Sequence, residues 1–335
     1  MCRSFRQARE VLAKLADLPI PEKQVERVTE RIGHERVAER QAAVAAFQAL
    51  PLAEKFRVPA GVTPPALAVI MTDGGRMQIL DRQPPAAPPP ADPPPSAIAP
   101  AADVWEEEGA NGPAGHWRED KVGLLLTMDS PVSAYDPCPV IPASFVDPLR
   151  IPKLVRELKK AVPEAADAVA DSDDPEAVEE ALQTEATYQP PAVQQRQVVA
   201  TRQAWPAFAP LVAATAWALG FQGAPRKAFV GDGSANNWRL QRRFFGSFVP
   251  ILDFIHALSY VFAAALAGRK FAAGWACYQE WIGWVWQGQV AQVIAALDQR
   301  QAELGLPEQE EPETSPRQVV AKTLTYLRNQ QDKMH

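Results

Sequence analysis

The chain has 335 residues, and 47% of them are hydrophobic, so it is long and apolar enough to form a packed globular protein. Its formal net charge is -6 and its pI is about 5.4, whereas proteins that bind nucleic acid through their overall charge are usually basic. Any contact with DNA must therefore come from a local basic surface or from a further domain.

The three cysteines lie far apart and form no C-x-x-C pair, so neither a structural zinc site nor a disulfide framework is predicted. The N-terminus lacks the apolar core of a signal peptide, and a reducing cytoplasm is the simplest setting. The most apolar region, 257–297, is interrupted by Arg269, Lys270 and Glu280, which favours a buried helical bundle over a membrane span.

Apolar residues at helical spacing predict an N-terminal helical segment over 1–60, in which the proline-containing stretch 18–21 separates two helices. A core over 61–256 follows. The apolar run 66–72 predicts a strand that is buried on both faces and ends at Asp73.

Glycines follow this first strand directly. Gly74 and Gly75 predict a tight turn, after which 76–80 and 121–128 complete a three-stranded antiparallel meander. The proline-rich segment 84–115 predicts an exposed loop, polyproline-like over its tract 84–100.

The second half of the core begins with an acidic helical insertion over 148–190 and a long helix over 194–219, which two prolines are expected to kink. A short strand, 228–230, then leads into Asp232. After a helix over 236–245, the strand 248–252 is closed by Asp253 and His256, and the remainder, 257–335, is predicted to be an all-helical region apart from its Pro- and Glu-rich linker, 307–316.

The acidic residues therefore recur where a buried strand meets a loop, which is where α/β sheets place functional groups. Two carboxylates at adjacent strand ends can share divalent cations such as Mg²⁺, which prefers oxygen ligands. Two such ions, about 3.5–4 Å apart, stabilise the attacking and leaving oxygens of phosphoryl transfer.

Structural interpretations of the same residues stay open. Asp73 and Asp232 each precede a glycine and suit tight turns, Asp253 suits the start of a helix as a cap, and His256 suits a hydrogen-bonded structural histidine. Arginines at 239, 242 and 243 suit DNA phosphates or a plain solvated helix face. Tryptophans after residue 270 favour bundle packing over base stacking.

Five segments in register resemble a signature of bacterial insertion-sequence transposases of the DDE type. In that family a Gly-Asp-Gly strand end precedes a Trp-bearing helix and an Asp-aromatic-x-His segment. The matching segments here are Asp73-Gly74-Gly75-Arg76, Trp117 to Gly123, Val230 to Gly233, Trp238 with Phe244-Phe245, and Ile251 to Ala257.

The resemblance implies an RNase H-like α/β fold with a mixed five-stranded sheet, N-terminal helices and an all-α insertion. It implies catalytic, metal-binding roles for Asp73 and Asp232, which would hold two Mg²⁺ ions with Mn²⁺ as a substitute. Asp253 and His256 would orient neighbouring groups or position DNA, and Arg239, Arg242 and Arg243 would contact DNA.

The expected partner is DNA, at transposon ends and target, in the cytoplasm and nucleoid of a bacterium; homo-oligomerisation stays open and no membrane is expected. A catalytic Glu follows the insertion in this family, near a Gly-, Ser- and Glu-rich motif. No such motif precedes His335 and no DNA-binding module precedes the core, so the chain is expected to be truncated at both ends and inactive alone.

Two alternatives stay open. The chain could be a non-catalytic remnant that acts only as a DNA- or protein-binding module. A different metal-dependent phosphohydrolase is disfavoured, because Asp73 lacks the Asp-x-Asp pairing of an aspartyl-phosphate enzyme.

Overall fold

The computed structural model describes residues 4–16, 19–78, 117–158 and 190–334. They belong to two compact units, of which the first contains Met1–Pro64 and Pro206–Gly223 and the second contains Pro65–Trp205 and Ala224–His335. The loop predicted over 84–115, and most of the acidic insertion predicted over 148–190, lie outside the described residues.

The described strands are β1 (Leu67–Gln78), β2 (Trp117–Asp129), β3 (Ala192–Thr201), β4 (Arg226–Gly231) and β5 (Val249–Leu252). The described α-helices are α1 (Phe5–Leu15), α2 (Glu22–Ala49), α3 (Leu52–Lys55), α4 (Arg150–Glu157), α5 (Trp205–Ala218), α6 (Ala235–Phe244), α7 (Phe254–Leu266), α8 (Phe271–Trp286), α9 (Val290–Leu304) and α10 (Pro316–Gln330).

The first unit is helical. Ser4 caps α1 by accepting a hydrogen bond from the backbone N–H of Gln7 at 3.1 Å. Phe47 of α2 is buried with its ring centroid 6.0 Å from that of Trp217, whose indole N–H donates to the carbonyl of Glu54 at 3.1 Å. The helices predicted before residue 60 are confirmed.

A mixed five-stranded sheet in the order β3-β2-β1-β4-β5 forms the centre of the second unit. β1 pairs with β2 and β2 with β3 in antiparallel fashion, whereas β4 lies parallel to β1 and β5 parallel to β4. The predicted α/β class and the mixed five-stranded sheet are confirmed.

The predicted hairpin at Gly74-Gly75 is wrong. β1 continues through both glycines, which lie opposite Lys121 and Asp120 of β2. A glycine inside a strand commonly marks a close approach rather than a turn. Here a Cβ added at Gly74 would lie 3.3 Å from a carboxylate oxygen of Glu119, so the missing side chain makes room for that group.

The predicted helix over 194–219 is wrong in its first part, because 192–201 forms β3 and α5 begins only at Trp205. β3 is an edge strand, and of its residues only Val199 is buried. With its side chains mostly solvated, β3 lacks the alternation that identifies a strand, and its pairing with β2 overrides the helical preference of its Gln, Arg and Ala residues.

The helices after β5 share one apolar core. Fully buried side chains of this core include Leu258, Phe262, Tyr278, Ile282 and Leu297. Trp281 belongs to it, and Trp275 and Trp284 pack against it, so the predicted packing role of these tryptophans is confirmed. Within the described ranges, no helix has both the length and the apolar character needed to cross a bilayer.

Candidate metal centre

Asp73 projects from within β1 rather than from its end, and it is exposed. Its Oδ1 accepts a hydrogen bond from the backbone N–H of Gly74 at 2.8 Å. The parallel register pairs Thr72 with Gly231 of β4, so Asp73 and Asp232 each follow a paired position on neighbouring strands.

Asp232 follows β4 and is held by its neighbours in the turn to α6. Its Oδ1 accepts hydrogen bonds from the backbone N–H of Ser234 at 2.8 Å and from the side-chain amide of Asn237 at 2.7 Å. The buried Asn237 in turn accepts a hydrogen bond from the hydroxyl of Thr72 at 2.7 Å. A buried polar chain therefore links β1 to the orientation of the Asp232 carboxylate.

Asp253 follows β5, and its backbone N–H donates to the carbonyl of Gly231 at 2.8 Å. One carboxylate oxygen accepts from the backbone N–H of Ile255 at 2.8 Å, so the helix-cap interpretation is confirmed. The other oxygen lies 3.2 Å from Nδ1 of His256. Asp253 thus fixes the start of α7 and the imidazole ring together.

Side chains from β1, from the turn after β4 and from α7 meet at one small site. Asp73, Asp232 and His256 each offer one ligand atom, and these atoms all lie within 4.8 Å of one another. The expected juxtaposition of the two carboxylates is therefore confirmed, and His256 joins them. A pocket of about 210 Å³ opens at the two carboxylates; Asp253 and apolar residues of β1, β2 and β4 also line it.

Several carboxylates lie close together in this site, and burial, charge and hydrogen bonding shift the pKa values of Asp73, Asp253 and His256. Burial and the Asp232 carboxylate raise the pKa of Asp73. The hydrogen bond with Asp253 raises the pKa of His256, and the charges of Asp232 and Asp73 add to this. Burial alone would raise the pKa of Asp253, but hydrogen bonds from His256 and from the Ile255 N–H outweigh it and lower that pKa.

The donor set suits a divalent cation. Carboxylate oxygens bind hard ions such as Mg²⁺ and Mn²⁺, and imidazole nitrogen binds first-row transition ions. A bound cation would also compensate the repulsion between Asp73 and Asp232 that disfavours the charged form of Asp73. The residues present therefore fit a metal ion.

The Asp232 turn is covered by α10, which sequence reasoning did not connect with the site. The Tyr326 hydroxyl donates to the carbonyl of Asp232 at 2.8 Å, and the Gln330 amide donates to the carbonyl of Gly233 at 3.1 Å. This helix of the predicted all-helical region therefore contacts the turn that follows β4. No local signal marks Tyr326 and Gln330, because they lie more than 90 positions from the turn they contact.

Replacing Gly233 with Ala is expected to lower the free energy of unfolding by roughly 1–3 kcal/mol. Gly233 has a φ of 101°, which an L side chain rarely adopts, and an added Cβ would lie 2.8 Å from Cε2 of Tyr326. Urea unfolding followed by circular dichroism measures the change. Gly305→Ala is the control, since Gly305 has a similar φ of 85° but a Cβ there meets nothing within 4 Å, and equal losses of stability in the two variants would refute the close approach of α10.

The Asp253–His256 pair predicts a pH-dependent stability. Because the pKa of His256 lies above its ordinary 6.5, its contribution is fully present below pH 6.5 and is lost as the pH rises through the raised pKa. The lowered pKa of Asp253 gives a contribution that is present above pH 3.8 and is lost as the pH falls through that lowered value.

In EDTA, the free energy of unfolding of wild type should therefore be higher than that of His256→Ala. This difference should be largest between pH 3.8 and 6.5 and should shrink at alkaline pH. Denaturant unfolding at about pH 5 and about pH 9 measures it. His34→Ala, which removes an exposed histidine of α2, is the control. An excess that grows with pH would contradict the ion pair.

Three acidic residues of the helical region after His256 have other surroundings and do not join this group. Glu280 is exposed on α8, Asp298 accepts from Arg328 at 2.7 Å, and Glu303 accepts from Arg300 at 3.0 Å. Among the described residues, His256 rather than a third carboxylate completes the group with Asp73 and Asp232.

The three arginines of α6 differ in their surroundings. Arg242 and Arg243 are exposed in the last turn, with the Arg243 guanidinium 5.7 Å from the centre of the Phe244 ring. Arg239 is half-buried and donates to the side-chain oxygen of Asn236 at 2.8 Å. Arg242 and Arg243 are therefore the more accessible cations of the helix.

No protein-family model matches this chain, and neither a curated protein nor a solved structure matches it.

Proposed function

We propose that this chain is the RNase H-like catalytic core of a DDE-type DNA transposase, whose reaction is metal-dependent strand cleavage and strand transfer at transposon ends. The observation that carries the proposal is the meeting of Asp73 and Asp232 from two adjacent parallel strands at one pocket. The five-stranded mixed sheet, with one aspartate on its first strand and the other after its fourth, is compatible with that fold.

In this proposal Asp73 and Asp232 hold divalent ions, Mg²⁺ or Mn²⁺, beside a DNA phosphodiester. Such ions stabilise the charge on the attacking and leaving oxygens of an in-line displacement. Asn237 and the Ser234 N–H fix the direction of the Asp232 carboxylate. Asp253 holds the imidazole of His256 close to the Asp73 and Asp232 oxygens.

DNA contact is assigned to the exposed end of α6, where Arg242 and Arg243 add positive charge to a chain whose net charge is -6. Binding is expected to be weak and to fall steeply with salt, because phosphate neutralisation sets most of the affinity.

The experiment is fluorescence anisotropy of a labelled DNA duplex over a salt series. Arg242→Glu/Arg243→Glu should bind more weakly and reduce the salt slope by about 2, since each phosphate contact contributes close to 1. Arg6→Glu/Arg9→Glu makes the same charge change on α1, where both arginines are exposed, and should leave the slope unchanged. Equal effects from the two double variants would argue against α6 as the contact.

A second candidate function, a DNA- or protein-binding module without catalysis, is favoured by the composition of the group at the pocket. Within the described part of the chain, that group contains two carboxylates and an imidazole rather than three carboxylates. Because that group contains no third carboxylate, the 335-residue chain alone, with Mn²⁺ and a transposon-end duplex, is expected under either function to show no nicking above background. Nicking that Asp73→Ala abolishes would exclude the binding-only function.

A further inference from the structure

His256 differs from the two aspartates in what it offers a cation. Its ring lies in the same 4.8 Å group as the Asp73 and Asp232 oxygens, and it is half-buried. An imidazole nitrogen is a softer donor than a carboxylate oxygen and suits first-row transition ions better than Mg²⁺. A site of two oxygens and one nitrogen therefore differs in metal preference from one of three carboxylates.

The surroundings of His256 resemble those of a metal-binding imidazole. Histidines that bind metals usually donate their other ring N–H to a carboxylate, which fixes the tautomer and leaves a lone pair for the ion. Nδ1 of His256 lies 3.2 Å from Asp253, and that carboxylate is itself anchored by the Ile255 N–H. The backbone N–H of Asp253 donates to the carbonyl of Gly231, the residue before Asp232, at 2.8 Å. Asp253 therefore connects the strand end that carries Asp232 with the imidazole of His256.

We infer that His256 is a direct ligand, and that the position it shares with Asp73 and Asp232 takes Mn²⁺ or a later first-row ion in preference to Mg²⁺. The inference rests on the proposed metal centre and deepens it by naming the class of ion. Mg²⁺ prefers an all-oxygen shell and gives up its waters reluctantly, so replacing one oxygen donor by nitrogen weakens Mg²⁺ more than Mn²⁺.

The test is electron-spin-echo spectroscopy of Mn²⁺ bound to the full 335-residue chain, which detects a directly bonded nitrogen through its magnetic coupling to the metal. Wild type and His34→Ala should both show the nitrogen coupling. His256→Ala should lose it and bind Mn²⁺ roughly 10–100-fold more weakly, with a smaller loss for Mg²⁺ measured by competition. Asp253→Asn should weaken Mn²⁺ binding but retain the coupling.

The wild-type spectrum decides the matter even if a variant fails to fold. Suppose that Mn²⁺ binds, that binding is lost in Asp73→Asn and Asp232→Asn, and that the spectrum shows no nitrogen coupling. This result would overturn the role of His256 and leave the metal centre intact. If Mn²⁺ binds and Asp73→Asn leaves its affinity unchanged, the site itself is refuted and the proposed function with it.

Discussion

Asp232→Asn is expected to lower the affinity for Mn²⁺ by roughly a hundredfold or more, which corresponds to about 3 kcal/mol. The change removes one negative charge from a ligand while keeping an oxygen that can accept from Ser234 and Asn237. Asp73→Asn should have a similar effect. Isothermal titration calorimetry or Mn²⁺ electron paramagnetic resonance measures the affinity.

These variants should not unfold the protein. Burial raises the pKa of Asp73, and the Asp232 charge raises it further, so the two carboxylates repel each other when no cation is bound and removing one charge relieves that repulsion. Asp129→Asn is the matched control, because Asp129 is an exposed aspartate at the end of β2 in the same unit. A loss of Mn²⁺ binding in Asp129→Asn equal to that in Asp232→Asn would show that the binding is diffuse and belongs to no single site.

The second large effect is expected from Trp238→Ala, which should lower the free energy of unfolding by about 3–5 kcal/mol. Trp238 is buried, its ring contacts Phe229 of β4 at 6.2 Å between centroids, and it packs against the backbone of Gly231. Its indole N–H donates to Gln330 at 2.8 Å. The residue therefore joins β4, α6 and α10 directly beneath the Asp232 turn.

Trp238→Phe separates packing from hydrogen bonding. It retains most of the ring volume but removes the donor to Gln330, and the expected cost is about 1–2 kcal/mol. Chemical denaturation of both variants measures the difference. A Trp238→Ala loss no larger than that of Trp238→Phe would show that the aromatic packing contributes little to holding the turn.

Much of the candidate site could be predicted because its residues lie beside strongly patterned elements. The apolar run before Asp73 and the short strands before Asp232 and Asp253 each identify a buried strand. Adjacent parallel strands then bring their following residues to one edge of the sheet. Only the resemblance to DDE-type transposases implies that Asp73 and Asp232 share a site; the structure brings the two carboxylates together, although β1 continues past Asp73 instead of turning there.

The features of the fold and of the site that the sequence does not predict depend on contacts between residues far apart in the chain. β3 resembles a helix in sequence because an edge strand with solvated side chains carries no alternation. The cover that Tyr326 and Gln330 provide over the Asp232 turn arises from tertiary packing of α10, far along the chain. The sequence predicts a structural or orienting role for His256. Its hydrogen bond to Asp253 is local, whereas its proximity to Asp73 requires the sheet to be assembled.

The most direct test of the central claim, a divalent metal held by Asp73 and Asp232 beside bound DNA, is affinity cleavage with Fe²⁺ in place of Mg²⁺. With Fe²⁺, ascorbate and peroxide, radicals form at the bound ion and break DNA only within reach of it. Wild type bound to a duplex should give a localised break, and the Asp73→Asn/Asp232→Asn double variant, bound to the same extent, should give none. An identical break pattern from the double variant, or no break from wild type with Fe²⁺ and DNA both bound, would contradict the account.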